Sequence, residues 1–292
     1  MTIYELSIIS TTGFPYYNKI IKPLPEGVKI FLRFFDFSKD KSIIQDQLDP
    51  DSKFDLTAGL ISALFEFARN IDKKIERLEF KAKKKPKKPK KPQGKGVLMS
   101  YEGDVLITAQ TESFLLQKSV QEKIKLIYHN FITPKTPLDS ADTIVEKEEE
   151  KIIDILTDSK ARQKLSNNQN DIKHAANDFL REMKDYGLWG VGITSFDLSP
   201  IAAFGKKYSL NDVHEILRNI GFIPNISPLE WIYRTSFSAN EQIQVCIIKS
   251  GVGPTVEDIL FEPYFYLLFT DPQSYFGEFP AKLTSSFNSI LG

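Results

Sequence analysis

Cysteine is nearly absent from the chain, with Cys246 alone among 292 residues. An internal disulfide is thereby excluded, and a reducing compartment is the simplest expectation. No run approaches the ~18 apolar residues of a membrane-spanning helix, and the opening MTIYELSIIS has no basic stretch leading into an apolar one. A soluble, cytoplasmic chain is expected. Histidine is almost as scarce. His129, His174 and His214 fall on three separate expected helices and form no His-x-x-x-His or Cys-His spacing suited to zinc, so each is read as structural or surface. The phosphate-cradling pattern Gly-x4-Gly-Lys-Ser/Thr is missing as well. Lys95 is followed by Gly96 and Lys206 by Lys207, which leaves intrinsic nucleotide hydrolysis without support. SGVGPTVED, residues 250–258, carries glycines but no lysine-serine pair and reads as a loop.

What remains is the material of folded cores. The hydrophobic share is 41% and the aromatic share 12%, and the length exceeds the usual single domain, so two compact units are expected. Lysine plus arginine equals aspartate plus glutamate at 38 each. Nine of the lysines sit in one stretch, KAKKKPKKPKKPQGKG at 81–96; without them 29 basic residues face 38 acidic ones, an acidic body unsuited to a broad nucleic-acid footprint.

Periodicity orders the elements. YELSIIST reads as a strand, Gly13 and Pro15 as a turn, and a second strand follows; VKIFLRFFDF at 28–37 is apolar on every side and fits a strand or a buried helix equally. Leu56, Leu60, Leu64, Phe67 and Ile71 recur at steps of three and four with Asp55 as N-cap, and Ile61 and Phe65 widen the stripe into a broad helix face. KIERLEF, GVLMSYEGD and DVLITAQT read as three strands, and a helix at about 113–132 carries Leu116, Val120, Ile124, Ile127 and Phe131. The segment 134–187 is a helical connector: ADTIVEKEEEKIIDIL and IKHAANDFLREMKDYG as helices, with SNNQND between them as a breaker. From Leu188 the pattern begins again with strand, turn, strand, a helix near 210–220 capped by Ser209 and Asp212 and stopped by Gly221, three strands, and a closing helix. Phe279, Leu283, Phe287 and Ile290 repeat the spacing of Leu116, Val120, Ile124 and Ile127, each shifted by 163.

Two strands, a helix, three strands and a helix, occurring twice, resemble the longin fold. The resemblance is carried by YELSIISTTGFPYY and FDLTAGLISALFEFARNI in the first copy, and by SPIAAF with the final strand and helix in the second. It implies an α+β architecture of two longin-like domains, 1–133 and 188–292, each an antiparallel five-stranded sheet flanked by helices and joined by the connector 134–187. It further implies a docking role without a reaction: a scaffold of the trafficking type that binds a small GTPase of the Ras-like superfamily or another longin or roadblock subunit, within an exchange factor or tether. A membrane-cargo adaptor without GTPase involvement is the alternative. The chain departs from the SNARE branch, because no heptad-bearing segment or lipidation site follows the fold.

No catalytic, cofactor or metal constellation emerges from the residues. Cys246 lies within QVCII and reads as a small buried hydrophobe; EKEEEK at 146–151 points its carboxylates in different directions and reads as a solvated face. Trp189, Trp231, Phe261, Tyr264 and Tyr266 fit interface anchors or core aromatics. The lysine run lies between two expected strands and is an internal hairpin loop, extended by its prolines and by self-repulsion, with a solvating insert as the plainest role. Its functional reading is contact with an anionic surface through Lys83, Lys84, Lys85, Lys87, Lys88, Lys90 and Lys91, placing the protein peripherally at a membrane. Nucleic acid fits less well, since the run has no aromatic residue for stacking and no arginine for base edges.

Overall fold

A computed structural model of the chain describes residues 2–10, 14–37, 105–135, 144–239, 241–274 and 276–292, together with Gly59, Ser62, Ala63, Leu64, Glu66 and Arg69. It divides into two units, Lys39–Ser100 and the remainder. In the smaller unit the six described positions are helical, within the stretch where the three-and-four periodicity predicts a helix. Leu64 is half-buried there, and Arg69 pairs with Glu66 one turn away at 2.9 Å. The rest of that helix's apolar stripe, the strands expected from KIERLEF and GVLMSYEGD, and the whole lysine run lie outside the described residues.

The larger unit opens with a four-stranded antiparallel sheet: β1 (Ile3–Ser10), β2 (Pro15–Ile20), β3 (Ile30–Asp36) and β4 (Val105–Glu112), in the order β2-β1-β4-β3. Period-two alternation sends Tyr4, Leu6 and Ile8 inward beside their partners, Leu6 against Ala109 and Ile8 against Ile107. Helix α1 (Gln117–Ile127) lays Val120, Ile124 and Ile127 into the core. The chain then widens into a π turn over Tyr128–Ile132, which keeps Phe131 and Ile132 buried.

VKIFLRFFDF is a strand. It buries Arg33 and Phe35 while Leu32 and Phe34 stay exposed, an alternation hidden in the sequence because both faces carry apolar residues. This strand resolves the alternative left open at 28–37. Among the described residues the sheet has four strands, and β4 lies between β1 and β3, a strand that precedes the helical stretch.

Among its described residues the connector holds three α-helices where two were expected: α2 (Glu146–Leu156), α3 (Ser159–Asn167) and α4 (Gln169–Glu182). Asp158, in the left-handed region at φ 58°, breaks α2 from α3, and Asn168 alone separates α3 from α4. SNNQND is therefore mostly helical, because a single non-helical residue suffices to turn the chain.

The second sheet comprises β5 (Leu188–Thr194), β6 (Pro200–Phe204), β7 (Trp231–Ser238), β8 (Glu241–Lys249) and β11 (Phe265–Thr270), all antiparallel in the order β6-β5-β11-β8-β7. Here the neighbour of the last strand is β8, which follows helix α5 (Leu210–Asn219), so the two sheets differ in how that place is filled. The Ser209–Asp212 capping box closes the start of α5 as the sequence predicts, and Gly221 sits just past its end at φ 75°. A short hairpin, β9 (Thr255–Val256) and β10 (Leu260–Phe261), replaces part of the expected loop at 250–258. Glu257 and Asp258 both take positive φ, and Ile259 N–H closes the turn on Val256 C=O at 3.1 Å.

Both faces of this sheet are covered. Ile243, Val245, Ile247, Phe265, Leu267 and Phe269 pack with Val213, Ile216 and Leu217 of α5, in a cluster continuous with the core of the first sheet. Val191, Ile193, Cys246, Ile248, Tyr266 and Leu268 pack under α4 and α6 (Phe279–Leu291). Gly192 leaves room for the Phe269 ring, which a Cβ there would meet at 3.2 Å. The chain is a mixed α+β protein with antiparallel sheets.

Candidate functional site: a buried ionic junction

The chemistry of the described residues concentrates where the two halves meet. Lys123 projects from α1 and is completely buried. Its Nζ lies 2.6 Å from Asp158 Oδ1 at the α2–α3 break and 2.6 Å from Asp197 Oδ2 in the β5–β6 turn. Asp197 is held from its other oxygen, which accepts the Ser195 hydroxyl at 2.7 Å and the Ser199 N–H at 2.9 Å. Glu262, between β10 and β11, is 1% exposed, and neither of its carboxylate oxygens accepts a hydrogen bond among the described residues.

Burial alone would push the Lys123 ammonium down, but Asp158, Asp197 and Glu262 together hold it above the ordinary lysine value. Burial would raise Asp197, yet the Lys123 charge and hydrogen bond, with the Ser195 and Ser199 donors, keep it below the carboxylate range. Asp158 is raised to about 6 by burial and by the neighbouring Asp197 charge. Glu262 is raised to about 8, chiefly by burial, with Lys123 pulling the other way. One ammonium thus stands against two carboxylates, of which Asp197 is fixed by hydrogen bonds while Asp158 is held by the ion pair alone, and burial pushes the third, Glu262, toward its neutral form.

Around this centre the halves interlock. The β5–β6 turn accepts the Leu116 N–H on Asp197 C=O at 3.1 Å, and Ser119 Oγ donates to Phe196 C=O at 2.8 Å, so one N–H at the start of α1 and a hydroxyl in its first turn are bonded to the second half. Arg162 of α3 donates to Thr157 C=O, Ser199 Oγ and Pro200 C=O. A second junction joins Glu112 of β4, fully buried, to Arg218 of α5, whose Nη2 and Nε reach its two oxygens at 2.5 and 3.1 Å; Tyr4 donates to the same carboxylate at 2.5 Å. Arg33, buried in β3, donates to Thr111 Oγ1, Leu115 C=O and Gln117 Oε1, and burial lowers its guanidinium to about 10.

The residues singled out from sequence fall elsewhere. Cys246 is buried and burial drives its thiol up to about 12, an environment hostile to a thiolate nucleophile. His214 packs edgewise on Phe114, and burial pulls it down to about 4. His174 pairs with Asp178 at 3.2 Å on the exposed side of α4, and His129 is exposed beside the Tyr128 ring. Glu146, Glu148 and Glu149 open α2; Glu148 pairs with Lys135 and Glu149 with Lys19.

Tyr264 and Tyr266 are core aromatics, bonded to Ala161 C=O at 3.0 Å and Asn288 Oδ1 at 2.8 Å. Trp189 and Trp231 are half-buried, with the Lys207 ammonium 3.5 Å from the Trp189 ring centre, and Phe261 is exposed. Sequence reasoning missed Lys123, Asp158, Asp197 and Glu262. The one signal was Lys123 lying between Val120 and Ile124 on the core side of an amphipathic helix.

Among the described residues no group of three or more His, Cys, Asp or Glu is placed to hold a metal ion, and no helix is long and apolar enough to cross a membrane. A shallow groove of about 440 Å³ between α4 and α6 is lined by Asp171, Asp178, Glu182, Phe179, Lys282 and Ser286 among others. No family model matches the chain, and no curated protein matches it. The buried centre fixes two halves together and offers no reacting atom to solvent.

Two outcomes test this role. Lys123→Met strands Asp158 and Asp197 in a dry site and lowers stability by about 3–5 kcal/mol in urea unfolding, with Lys123→Met/Asp197→Asn recovering part of the loss. Glu262 binds its proton more tightly folded than unfolded, so the unfolded chain holds fewer protons and stability falls as pH rises toward its folded value of about 8. Between pH 6.5 and 8 that fall is about 1–2 kcal/mol, and Glu262→Gln, neutral throughout, removes it from the pH dependence of the unfolding midpoint.

Proposed function

We propose that the chain is a noncatalytic tandem-longin scaffold of the membrane-trafficking type. It docks a small GTPase of the Ras-like superfamily, a partner longin or roadblock subunit, or both, within an exchange factor or tether. The observation that carries this reading is the second half. Its strand, strand, helix, long strands, helix order is closed into β6-β5-β11-β8-β7, with α5 on one face and α6, beside α4 of the connector, on the other. That is the element order on which the longin resemblance rests. The interlocked core supports it further, because a rigid platform holds docking surfaces in fixed relation while its own charged groups are occupied internally. Purified protein, alone and with subunits captured from its native lysate, should bind a small GTPase and change the rate at which it releases labelled GDP. Neither binding nor altered release across a panel of Ras-like GTPases ends this reading.

The lysine run favours a second, compatible reading, contact with an anionic membrane. Each lysine near such a surface contributes about 1 kcal/mol before screening and looseness reduce it. Deleting residues 83–91 should weaken binding to phosphatidylserine-containing vesicles at low salt by about tenfold or more. Unchanged binding removes the membrane role.

A further inference from the structure

We propose that the β9–β10 hairpin is a proton-operated latch, closed while the Glu262 carboxyl carries its proton and swinging out when that carboxyl gives the proton up to water. The hairpin is an excursion from the second sheet, leaving it after β8 and rejoining it at β11. Its stem is narrow. Glu262 N–H donates to Pro254 C=O at 2.9 Å, and Tyr264 N–H donates to Val252 C=O at 3.2 Å. A Cβ on Gly253 would meet the Glu262 carbonyl oxygen at 2.0 Å, so the two backbones touch and the place of Glu262 is fixed. Below the stem the Tyr264 hydroxyl anchors the chain on Ala161 C=O at 3.0 Å.

Beyond the stem the hairpin is lightly held. Its ladder consists of two residue pairs, Val256 with Leu260 and Thr255 with Phe261. Two exposed lysines reach it from the connector: Lys160 Nζ donates to Thr255 C=O at 3.2 Å, and Lys151 lies 3.9 Å from Glu257 in a surface ion pair of little net worth. At its far end Ile259 is 71% exposed and Phe261 48%. Between 255 and 262 the buried side chains are Val256, which joins the shared apolar core, and Glu262. What keeps Glu262 inside therefore decides whether the hairpin lies flat.

The groups that face Glu262 are Lys123 of α1, Asp158 at the α2–α3 break, Lys160 of α3, Asp197 of the β5–β6 turn and the neighbouring Tyr264 phenol. The Lys123 ammonium is already shared by Asp158 and Asp197 at 2.6 Å each. Neither Glu262 oxygen finds a hydrogen-bond donor among the described residues. An ionised Glu262 in the closed hairpin would thus be a third buried negative charge against one ammonium, without a hydrogen bond to hold it. The closed form requires the proton, and burial accordingly raises the group to about 8, with Asp158 and Asp197 adding to the push and Lys123 and Lys160 opposing it. Swung out, the carboxyl returns to water and ionises as an ordinary glutamate. The closed form binds the proton more tightly than the open one, so the open population grows as pH rises, by up to about tenfold per unit until the closed value is passed. Opening bares Val256 and the carboxylates around Lys123. The inference does not depend on GTPase docking, and its test reads the hairpin alone.

Amide hydrogen exchange of the full chain measures the latch. Dividing the wild-type rate by that of Glu262→Gln at the same pH cancels the base catalysis of exchange itself. From pH 6.5 to 8.5 this ratio should rise by about tenfold or more over residues 255–261 and stay level over 243–248 and 265–269 in the middle of the sheet. Val256→Cys, covered only while the hairpin is closed, should gain thiol reactivity by the same factor relative to Val256→Cys with Glu262→Gln; Cys246 is buried and adds no background. Circular dichroism checks folding, and Glu262→Met, similar in length and without a proton to lose, serves as the reference if Glu262→Gln does not fold. A ratio that ignores pH overturns the proposal. So does a rise shared equally by the middle of the sheet, which is global unfolding, or a hairpin already unprotected at pH 6.5, which has no closed form to release.

Discussion

The ammonium of Lys123 is the constraint around which the molecule is arranged. A lysine taken wholly out of water is tolerable only with compensating charge at hydrogen-bond distance, and the fold brings that charge from two separate elements. Meeting the requirement places the α2–α3 break, the β5–β6 turn and the middle of α1 within one contact. The left-handed backbone at Asp158 and the turn that aims Asp197 with help from Ser195 and Ser199 are the local conformations this meeting demands. Specificity of assembly follows, because sliding α1 along its partners leaves three charges unpaired in a dry core.

The apolar core obeys the same logic on a larger scale. The face of the second sheet bearing Val245, Ile247 and Phe269 is continuous with the cluster under the first sheet, so burial on one side reinforces burial on the other. Glu112 with Arg218 then places a second polar contact at a distance from the first. Two fixed polar points across a shared apolar layer define an orientation, where a greasy interface alone would leave several.

Much of this was legible in the sequence. Leu116, Val120, Ile124 and Ile127 announce their helix because a helix with one wet side must repeat at three and four, and Ser209 with Asp212 marks a start that the backbone then obeys. β3 was illegible because apolar residues line both of its faces, which erases the alternation that distinguishes strand from helix. The break at Asp158 left no trace, since aspartate is ordinary in helices and turns alike. The ionic centre was the least readable part. Its members lie at 123, 158, 197 and 262, and charge at such separations acquires meaning only when topology brings it together. The sequence directed attention instead to Lys83–Lys91, where charge is dense locally, while the charges that organise the described fold are single and scattered.

The bond from the Leu116 N–H at the start of α1 to the β5–β6 turn imposes a schedule on synthesis. The helix that covers the first sheet begins at Gln117, but the carbonyl that receives the Leu116 N–H belongs to Asp197, and the serines that position that turn extend to Ser199. At about 5–20 residues per second, a ribosome that has finished the helix start needs on the order of ten seconds to deliver its cap. Through that interval the nascent amino-terminal half carries an open helix end and an uncompensated Lys123. Its final closure is an event of the whole chain, so the two halves reach their native state together even though one is made well before the other.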